Sequence, residues 1–366
     1  MNQYYLLVNN TLYNSIIQDG LLQENNNLFK IRVFGEIDKK DAAVDRVAVK
    51  GKKIKKGLVF RLKRLKSLLK GFYSCVLYSF NLKRIIREKN IKAVYSVFQG
   101  GIYSWIILRL LRIYHVYSYN DASNYMVQKG ITDLFRSEYF VLKNCDRIDF
   151  LSEKVAKNTQ KVIGKLDDSR FNISPSSFVD TERFTISREK KRRVVFMSRL
   201  VHLKNPMLFL ESVKVLQAKY SLNDVQYDII GNGKLLNEMK NYCKINGINS
   251  IIFHGAIAKP EKILSESIIF VSIQQDNNYP SQALMEAMSC GNVIVASDVG
   301  ETDLLVNNET GILVSFDPDS IAKAIYGLLS DEQICLSMGI AGREKILKEH
   351  SVSNYADYFT KLINNE

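Results

Sequence analysis

Short runs of apolar and β-branched residues alternate with helical stretches along the whole chain. In the second half, each run ends in Gly, Asn, Ser or Asp, where a turn into a helix begins. These runs are RRVVFMSRL, VQYDIIGNG, SIIFHGAI, SIIFVSIQ, NVIVASDVG and GILVSF. The first-half runs are QYYLLVNN, FKIRVFGE, KAVYSVF, HVYSYN and DRIDFLS. Strands that alternate with helices form parallel sheets, so the pattern predicts an α/β fold with doubly wound sheets.

The chain is long enough for two such sheets. It has 366 residues, and a domain typically takes roughly 150. Between the halves lies FTISREKKRR, a charged run without a core pattern, which places a boundary near residues 184–192. We predict domains over residues 1–185 and 186–350 that face each other across a cleft. Ligands of doubly wound sheets bind outside the carboxyl ends of the strands.

Composition argues against several classes of protein. Apolar residues make up 46% of the chain and charged residues 24%, which is typical of a globular protein. No run of 18 apolar residues is present to span a bilayer, and MNQYYLLVNNTLYN lacks the pattern of a signal peptide. The scattered cysteines fit neither a disulfide framework nor a metal motif, so we expect a cytoplasmic protein. They are Cys75, Cys145, Cys243, Cys290 and Cys335.

The positive charge of the chain is concentrated in one block. Between Arg46 and Lys92 there are sixteen Lys or Arg and a single acid, Glu88. That block carries a net charge of +15, whereas the whole chain carries +13, so the remainder is close to neutral. Within the block, GLVFRLKRLKSLLKG has leucines at helical spacing between basic residues, which predicts an amphipathic helix. The leucines are Leu58, Leu62, Leu65 and Leu69.

Three interpretations of this block remain open. A basic amphipathic segment over residues 50–80 can dock on an anionic membrane surface, because anionic lipid attracts Lys and Arg. It can also be an ordinary surface helix whose leucines face its own domain. Nucleic-acid binding is the third interpretation, but no recognised nucleic-acid module accompanies the charge, and we expect no nucleic-acid partner.

Two cations follow the first strand of the second half. Arg199 comes directly after the run VVFMS, and Lys204 follows five residues later. Such a pair can converge on a diphosphate, Arg through its planar fork and Lys as a point charge. Gly231-Asn232-Gly233 ends the next strand and suits a tight turn that approaches a ligand, although a GxG alone is weak support for a nucleotide site.

The segment YPSQALMEAMSCG predicts a helix with Pro280 at its start and Gly291 just past its end. The N–H groups of its first turn would attract phosphate, so Tyr279, Pro280 and Ser281 are expected in the donor-binding site.

Two polar residues of this helix lie on one face. Gln282 and Glu286 are four residues apart, whereas Leu284 and Met288 lie on another face and are expected in the core. A carboxylate among apolar residues needs a donor partner, and sugar hydroxyls are suitable donors.

Other polar features have structural explanations. Asp317-Pro318-Asp319 resembles a metal-binding DxD but is better explained as a helix start. Gln99-Gly100-Gly101 ends a strand, so Gly100 and Gly101 can approach a ligand or simply form a turn, and Trp105 is expected in the core. The histidines lack ligand spacing, so no metal site is expected. They are His115, His202, His254 and His350, of which His254 is expected to be structural or to line the donor site.

An ordered set of motifs resembles retaining glycosyltransferases of family 4, which have the GT-B fold of two Rossmann-like domains. The motifs are ISPSSFVDTERF, SRLVHLK, GNGKL, FHGAI, NNYPSQALMEAMSCGNVIVASDVGETDLLV and GILVSFDPDSIAKAI. The resemblance covers residues 173–330 and is looser before residue 150.

The resemblance implies a nucleotide-diphosphate sugar, such as a UDP- or GDP-sugar, bound mainly by the second domain. By position, Arg199 and Lys204 resemble the diphosphate-binding pair, and Glu286 resembles the glutamate that binds the ribose hydroxyls. It also implies an acceptor bound by the first domain, retention of anomeric configuration, and no metal, cofactor or protein nucleophile. The last segment, residues 351–366, would return to the first domain.

Two positions depart from the family pattern. The family usually has a second glutamate eight residues before the ribose-binding one, near the donor sugar, and this chain has Asn278 there, or Asn277 if Pro280 is aligned. The family often has a histidine after the fourth strand, where this chain has Asn120 and Asp121. An amide can bind a hydroxyl but cannot supply negative charge.

We therefore expect an enzyme that transfers a sugar to a lipid-linked or polysaccharide acceptor at the inner face of the cell membrane. The alternative is a non-catalytic protein that keeps the fold and binds nucleotide sugars or glycans. A nicotinamide oxidoreductase would rest only on the α/β pattern and GNG.

Overall fold

The computed structural model describes most of the chain and divides it into two compact units. The described residues are 3–7, 28–31, 73, 76–77, 79–88, 90–97, 99–119, 138–175, 177–222 and 224–365. Unit 1 comprises Met1–Ser176 and Ala356–Glu366, and unit 2 comprises Ser177–Tyr355. The first division therefore lies nine residues before the end of the predicted domain 1–185.

Unit 1 contains a six-stranded parallel sheet in the order β2-β1-β3-β4-β5-β6. Five of these strands coincide with the apolar runs of the first half, as predicted. The sixth was missed, because its three residues are too few to show a pattern. The strands are β1 Gln3–Leu7, β2 Leu28–Ile31, β3 Ile91–Val97, β4 Tyr114–Tyr119, β5 Arg147–Phe150 and β6 Phe171–Ile173.

Helices of unit 1 pack their apolar faces on this sheet. They are α1 Gln99–Leu110, α2 Tyr139–Asn144 and α3 Glu153–Ile163, and residues 79–88 are also helical. Trp105 of α1 is partly buried and stacks on Phe140 of α2, which agrees with its expected place in the core. The four leucines at 58, 62, 65 and 69 lie outside the described residues, as do Asn120 and Asp121.

Unit 2 contains a second six-stranded parallel sheet in the order β12-β11-β10-β7-β8-β9. All six strands coincide with the runs predicted from the second half. The strands are β7 Lys191–Met197, β8 Gln226–Ile230, β9 Ile251–Gly255, β10 Ser267–Ser272, β11 Val293–Ser297 and β12 Gly311–Val314.

Helices cover this sheet on both faces, because successive strand residues point to opposite sides. Val194 and Phe196 of β7 belong to one apolar cluster, whereas Val195 belongs to the other. The helices are α4 Pro206–Tyr220, α5 Leu236–Ile245, α6 Glu261–Glu266, α7 Gln282–Ser289, α8 Pro318–Leu329 and α9 Glu332–Glu349.

The start of α8 explains the DxD-like sequence. The Asp317 side chain accepts a hydrogen bond from the Ser320 backbone N–H at 2.8 Å, and Pro318 is the first helical residue. Asp319 forms an ion pair with Lys219. The prediction of a helix start at this sequence is confirmed.

The final helix, α10 Val352–Asn364, begins in unit 2 and belongs to unit 1 from Ala356 onward. Within unit 1, the Phe359 ring lies 5.1 Å from the Tyr95 ring, and the Tyr358 hydroxyl donates to buried Asp149. Leu362 and Ile363 are also buried.

The described residues contain neither a membrane-spanning helix nor a cluster of metal-ligating side chains. None of the helices there is both long and apolar enough to cross a bilayer. Within the same ranges, His, Cys, Asp and Glu side chains form no group of three or more that could hold a metal ion.

Candidate functional site

The loop after β7 presents the two predicted cations at the carboxyl edge of the unit 2 sheet. Leu200 is fully buried and anchors the loop, while Arg199 beside it is exposed. A short 3₁₀ helix, His202–Lys204, then places Lys204 half-buried below the loop. The sequence folds this way because Leu200, which lies between the two cations, buries its side chain and so fixes the backbone of the loop.

Gly231 and Gly233 allow the turn after β8 to pack against this loop. A Cβ atom on Gly231 would lie 1.8 Å from the Ser198 carbonyl oxygen, and one on Gly233 would lie 2.3 Å from that of Leu200. The Leu200 N–H donates to the Asn232 carbonyl at 2.9 Å. These glycines therefore support the backbone around Arg199, and neither lines the pocket described below.

The loop after β10 holds Lys204 from the other side. The Lys204 ammonium donates to Gln274 Oε1, and Gln274 Nε2 donates to the Asn277 carbonyl. The two loops are also joined through their backbones, because the Gln275 N–H donates to the Leu203 carbonyl at 2.8 Å. Gln274 is buried, so it fixes the position of the lysine.

Lys204 lies in an environment that disfavours its charge. Burial lowers the pKa of Lys204, the neighbouring Arg199 lowers it further, and Asp276 acts in the opposite direction. A bound anion would relieve both unfavourable effects, because it would pair with the two cations at once.

These loops and the start of α7 enclose a pocket of about 340 Å³. This volume is at the lower end of the range for ligand pockets, which is roughly 300–1,000 Å³. Six predicted site residues line it: Arg199, Lys204, Asn277, Pro280, Ser281 and Gln282. Leu203, Gln274 and Asp276 also line it, and the sequence analysis missed them. The position of Gln274 and Asp276 just after β10 was the signal that could have identified them.

Helix α7 begins two residues later than expected. Its first residue is Gln282, with Ser281 as the N-cap in an extended conformation, so Pro280 precedes the helix. Its end agrees with the prediction, because Gly291 follows the C-cap with φ +70°. Leu284 and Met288 are fully buried, as expected. The Tyr279 ring lies 6.4 Å from the His350 ring and does not line the pocket.

Glu286 lies one turn behind the pocket. Gln282 lines the pocket and donates through Nε2 to Glu286 Oε1 at 3.1 Å, so the two residues share a face as predicted. Burial raises the pKa of Glu286 to about 7, although the bond from Gln282 and the charge of Arg183 favour ionisation. Hydroxyl donors of a ligand would also stabilise the ionised form.

The two asparagines at the variant position differ in their surroundings. Asn278 is buried, and its amide bonds to Ser272 and Ser297, with Ser272 Oγ donating to Oδ1 at 2.8 Å. Asn277 lines the pocket. The structure therefore brings Asn277, and not Asn278, to the pocket wall.

The remaining predicted residues lie elsewhere. Gly100 and Gly101 open α1 in unit 1, and a Cβ atom on Gly101 would lie 2.2 Å from the Tyr117 ring, so Gly101 allows α1 to pack on the sheet. His254 of β9 pairs with buried Asp228, which agrees with the structural alternative.

Comparison with known proteins finds a family similarity within the second unit. The model of the glycosyl transferases group 1 matches residues 179–345. One relative is the GalNAc-alpha-(1->4)-GalNAc-alpha-(1->3)-diNAcBac-PP-undecaprenol alpha-1,4-N-acetyl-D-galactosaminyltransferase of Campylobacter jejuni, 24% identical over 60% of each chain. Another is the UDP-Gal:alpha-D-GlcNAc-diphosphoundecaprenol alpha-1,3-galactosyltransferase of Escherichia coli, 27% identical over 54% of each. The chain thus spans less than two thirds of either relative.

Solved structures extend the likeness in fold to the whole chain. Anabaena HepE in complex with UDP and glucose superposes with a TM-score of 0.70 at 13% identity, covering 100% of both chains. Sucrose-phosphate synthase from Thermosynechococcus elongatus gives a TM-score of 0.68 at 14% identity, covering 100% of this chain and 99% of that one. The GT-B fold predicted from the sequence is confirmed.

Proposed function

We propose that this protein transfers a sugar from a nucleotide-diphosphate sugar to a lipid-linked or glycan acceptor. The observation that carries the proposal is the convergence of Arg199 and Lys204 on one pocket at the carboxyl edge of the unit 2 sheet. Two cations fixed in place before the reaction can neutralise the charge that gathers on a departing diphosphate.

Glu286 supplies the nucleotide-binding part of the proposal. Its half-buried carboxylate accepts hydroxyl hydrogen bonds from the ribose, and Gln282 holds it in position. We propose retention of anomeric configuration without a metal, cofactor or protein nucleophile, on the resemblance of residues 173–330 to retaining family 4 enzymes. In this proposal, the two cations perform the electrostatic role that a metal ion performs elsewhere.

The proposed acceptor is lipid-linked and is bound by unit 1. The names of the Campylobacter and Escherichia relatives both contain an undecaprenol carrier linked through diphosphate. We therefore propose action at the inner face of the cell membrane, with the basic segment over residues 50–80 as the docking surface.

One described part of unit 1 supports membrane docking. Tyr73, Leu77 and Phe80 are exposed and helical, at spacings of four and three residues, so they lie on one face. Arg84 and Arg87 continue this face. Aromatic side chains next to arginines suit the boundary between lipid headgroups and acyl chains.

Incubation with a panel of nucleotide sugars and an undecaprenyl-diphosphate glycan tests the proposed activity. We expect acceptor-dependent release of nucleoside diphosphate, which Arg199→Ala or Lys204→Ala should slow about 100-fold. Arg188→Ala and Lys323→Ala, at exposed positions of unit 2, are the matched controls and should have no effect. Saturable binding without release would favour the non-catalytic alternative and contradict the transferase.

Co-sedimentation with vesicles tests the docking surface separately. Wild-type protein should bind anionic vesicles more strongly than neutral ones, and more weakly as salt rises, because part of the attraction is Coulombic. Replacing Tyr73, Leu77 and Phe80 by Ser should weaken binding, whereas Ile245→Ser, at an exposed apolar site of unit 2, should not. Equal binding to neutral and anionic vesicles would contradict the proposal and favour an ordinary surface helix.

A further inference from the structure

Asn277 lines the pocket, but its side-chain oxygen is already engaged and offers a ligand no hydrogen-bond acceptor. Asn277 Oδ1 accepts from the backbone N–H of Tyr279 at 3.0 Å and from that of Glu301 at 2.8 Å. A carbonyl oxygen has two lone pairs, so both are occupied. The amide is fixed in this orientation and presents its Nδ2 donor on the other side.

The two cations of the pocket and the neighbouring amides do not replace this acceptor. Arg199 and Lys204 are donors only. Gln274 Oε1 accepts from Lys204, and Asn278 Oδ1 accepts from Ser272. A sugar ring carries several hydroxyls, and each hydroxyl buried without an acceptor costs binding free energy.

A carboxylate supplied by a different part of the chain lies directly beside Asn277. Glu301 is buried with 8% exposure, and its Oε2 lies 3.5 Å from Asn277 Nδ2. It follows β11, so it comes from the same carboxyl edge as the loops after β7 and β10.

The backbone before Glu301 is shaped for this approach. Gly300 has φ +63°, and a Cβ atom there would lie 2.7 Å from the Asn277 side chain. A glycine is therefore required at position 300 for Glu301 to pack against Asn277. The contact is a built part of the fold and not a chance meeting of two surface side chains.

We propose that Glu301 is a sugar-binding residue, whose carboxylate accepts hydrogen bonds from hydroxyls of the donor sugar next to Asn277. The inference rests on the proposed function, because it takes a nucleotide-diphosphate sugar as the ligand. The Glu301 carboxylate gives the site a negative charge close to Asn277. Asp276 is a less suitable source, because it is exposed and acts on Lys204.

Calorimetric titration with a nucleotide sugar and with its nucleoside diphosphate alone tests this role. Glu301→Gln keeps the shape of the side chain and the backbone N–H that Asn277 accepts. We expect it to bind the nucleotide sugar at least tenfold more weakly than wild type, with the affinity for the diphosphate changed less than twofold. Glu309→Gln is the matched control, because Glu309 is exposed at the amino end of β12, and it should change neither affinity.

A charge exchange sharpens the test. Asn277→Asp combined with Glu301→Gln moves the carboxylate across the 3.5 Å contact. This double variant should recover part of the affinity for the nucleotide sugar that Glu301→Gln loses. A double variant no better than Glu301→Gln would contradict a direct role of the carboxylate.

The outcomes separate this inference from the proposed function. Unchanged nucleotide-sugar affinity in Glu301→Gln, or an equal loss for sugar and diphosphate, would overturn the inference and leave the transferase proposal standing. A selective loss in a protein that binds donors but releases no diphosphate would support the inference and overturn the transferase. A wild-type protein that binds no nucleotide sugar would overturn both.

Discussion

Each unit contains a carboxylate whose pKa is raised by burial, and the two carboxylates have different surroundings. Burial raises the pKa of Asp149 in unit 1 to about 6 and that of Glu286 in unit 2 to about 7. Asp149 accepts from the hydroxyls of Tyr95 and Tyr358, which belong to β3 and α10. Glu286 accepts from Gln282, which lines the pocket.

The difference shows that a raised pKa alone does not identify a ligand site. Both oxygens of Asp149 are engaged by tyrosines of its own unit, so this carboxylate joins two elements of the fold. Glu286 shares its helix face with a residue of the pocket wall, so hydroxyls of a ligand can complete its surroundings. The experiments below test this contrast between a structural carboxylate and a ligand-binding one.

Removing residues 356–366 should have the largest effect and should act on unit 1. The deletion removes Phe359, Leu362 and Ile363 from its core. Burial of such side chains is worth about 2–5 kcal/mol each, so we expect more than about 5 kcal/mol of destabilisation. Hydrogen exchange resolved by segment should show lost protection in β3 and β5 and retained protection in β7 and β10. Unchanged thermal stability would contradict a structural role of α10 in unit 1.

Replacing the pocket cations should lower activity and leave the stability of the fold nearly unchanged, unlike the deletion. Arg199→Ala and Lys204→Ala should each lower turnover about 100-fold, which corresponds to about 2.7 kcal/mol of transition-state stabilisation. Steady-state kinetics with the donor found in the panel, together with thermal unfolding of each variant, provides the measurement. Wild-type turnover in both variants would remove Arg199 and Lys204 from the proposed site.

Removing the Asp149 carboxylate should destabilise the fold by a smaller amount. Asp149→Ala leaves the hydroxyls of buried Tyr95 and half-buried Tyr358 without this acceptor, which should cost about 2 kcal/mol. Denaturant unfolding at several pH values checks the size and the sign. Because the folded pKa of about 6 lies above the ordinary value of 3.8, the stability from protonated Asp149 is full below pH 3.8. It should decline as pH rises through 6, and Asp149→Asn should abolish this decline. The same decline in Asp149→Asn would assign it to another group.

Most of the scaffold of the site could be predicted from the sequence, because buried parallel strands are continuous apolar runs that end in turn residues. The runs VVFM and IIFVS mark β7 and β10, and the loop after β7 carries Arg199 and Lys204 as expected. The local start of α7 was less predictable, since proline is compatible both with a first helical residue and with the turn before it.

The finer arrangement of the pocket required the structure. Gln274 was missed because its residue type carries no charge, and only its position after β10 marks it as a site residue. The choice between Asn277 and Asn278 depends on which side chain the loop turns inward, and no periodicity applies to a loop. Glu301 lies 24 residues from Asn277, so only the meeting of two strand ends brings them together.

Glu286→Gln should have the smallest effect of these changes and should depend on pH. The ionised carboxylate accepts hydroxyl hydrogen bonds, so donor affinity of the wild type should rise between pH 6 and pH 8 and level off above. The variant should bind donor about tenfold more weakly at pH 8, which corresponds to about 1.4 kcal/mol, and should lose the pH dependence.

The folded pKa of about 7 for Glu286 lies above the ordinary 4.5, so protonated Glu286 stabilises the fold below pH 4.5, and this contribution is lost as pH rises through 7. Glu286→Gln should therefore be at least as stable as wild type at pH 8, in contrast to Asp149→Ala. Calorimetric titration and denaturant unfolding at pH 6, 7 and 8 measure both effects, with Glu309→Gln as the control. A variant that loses stability at pH 8 while binding donor normally would make Glu286 a structural carboxylate like Asp149.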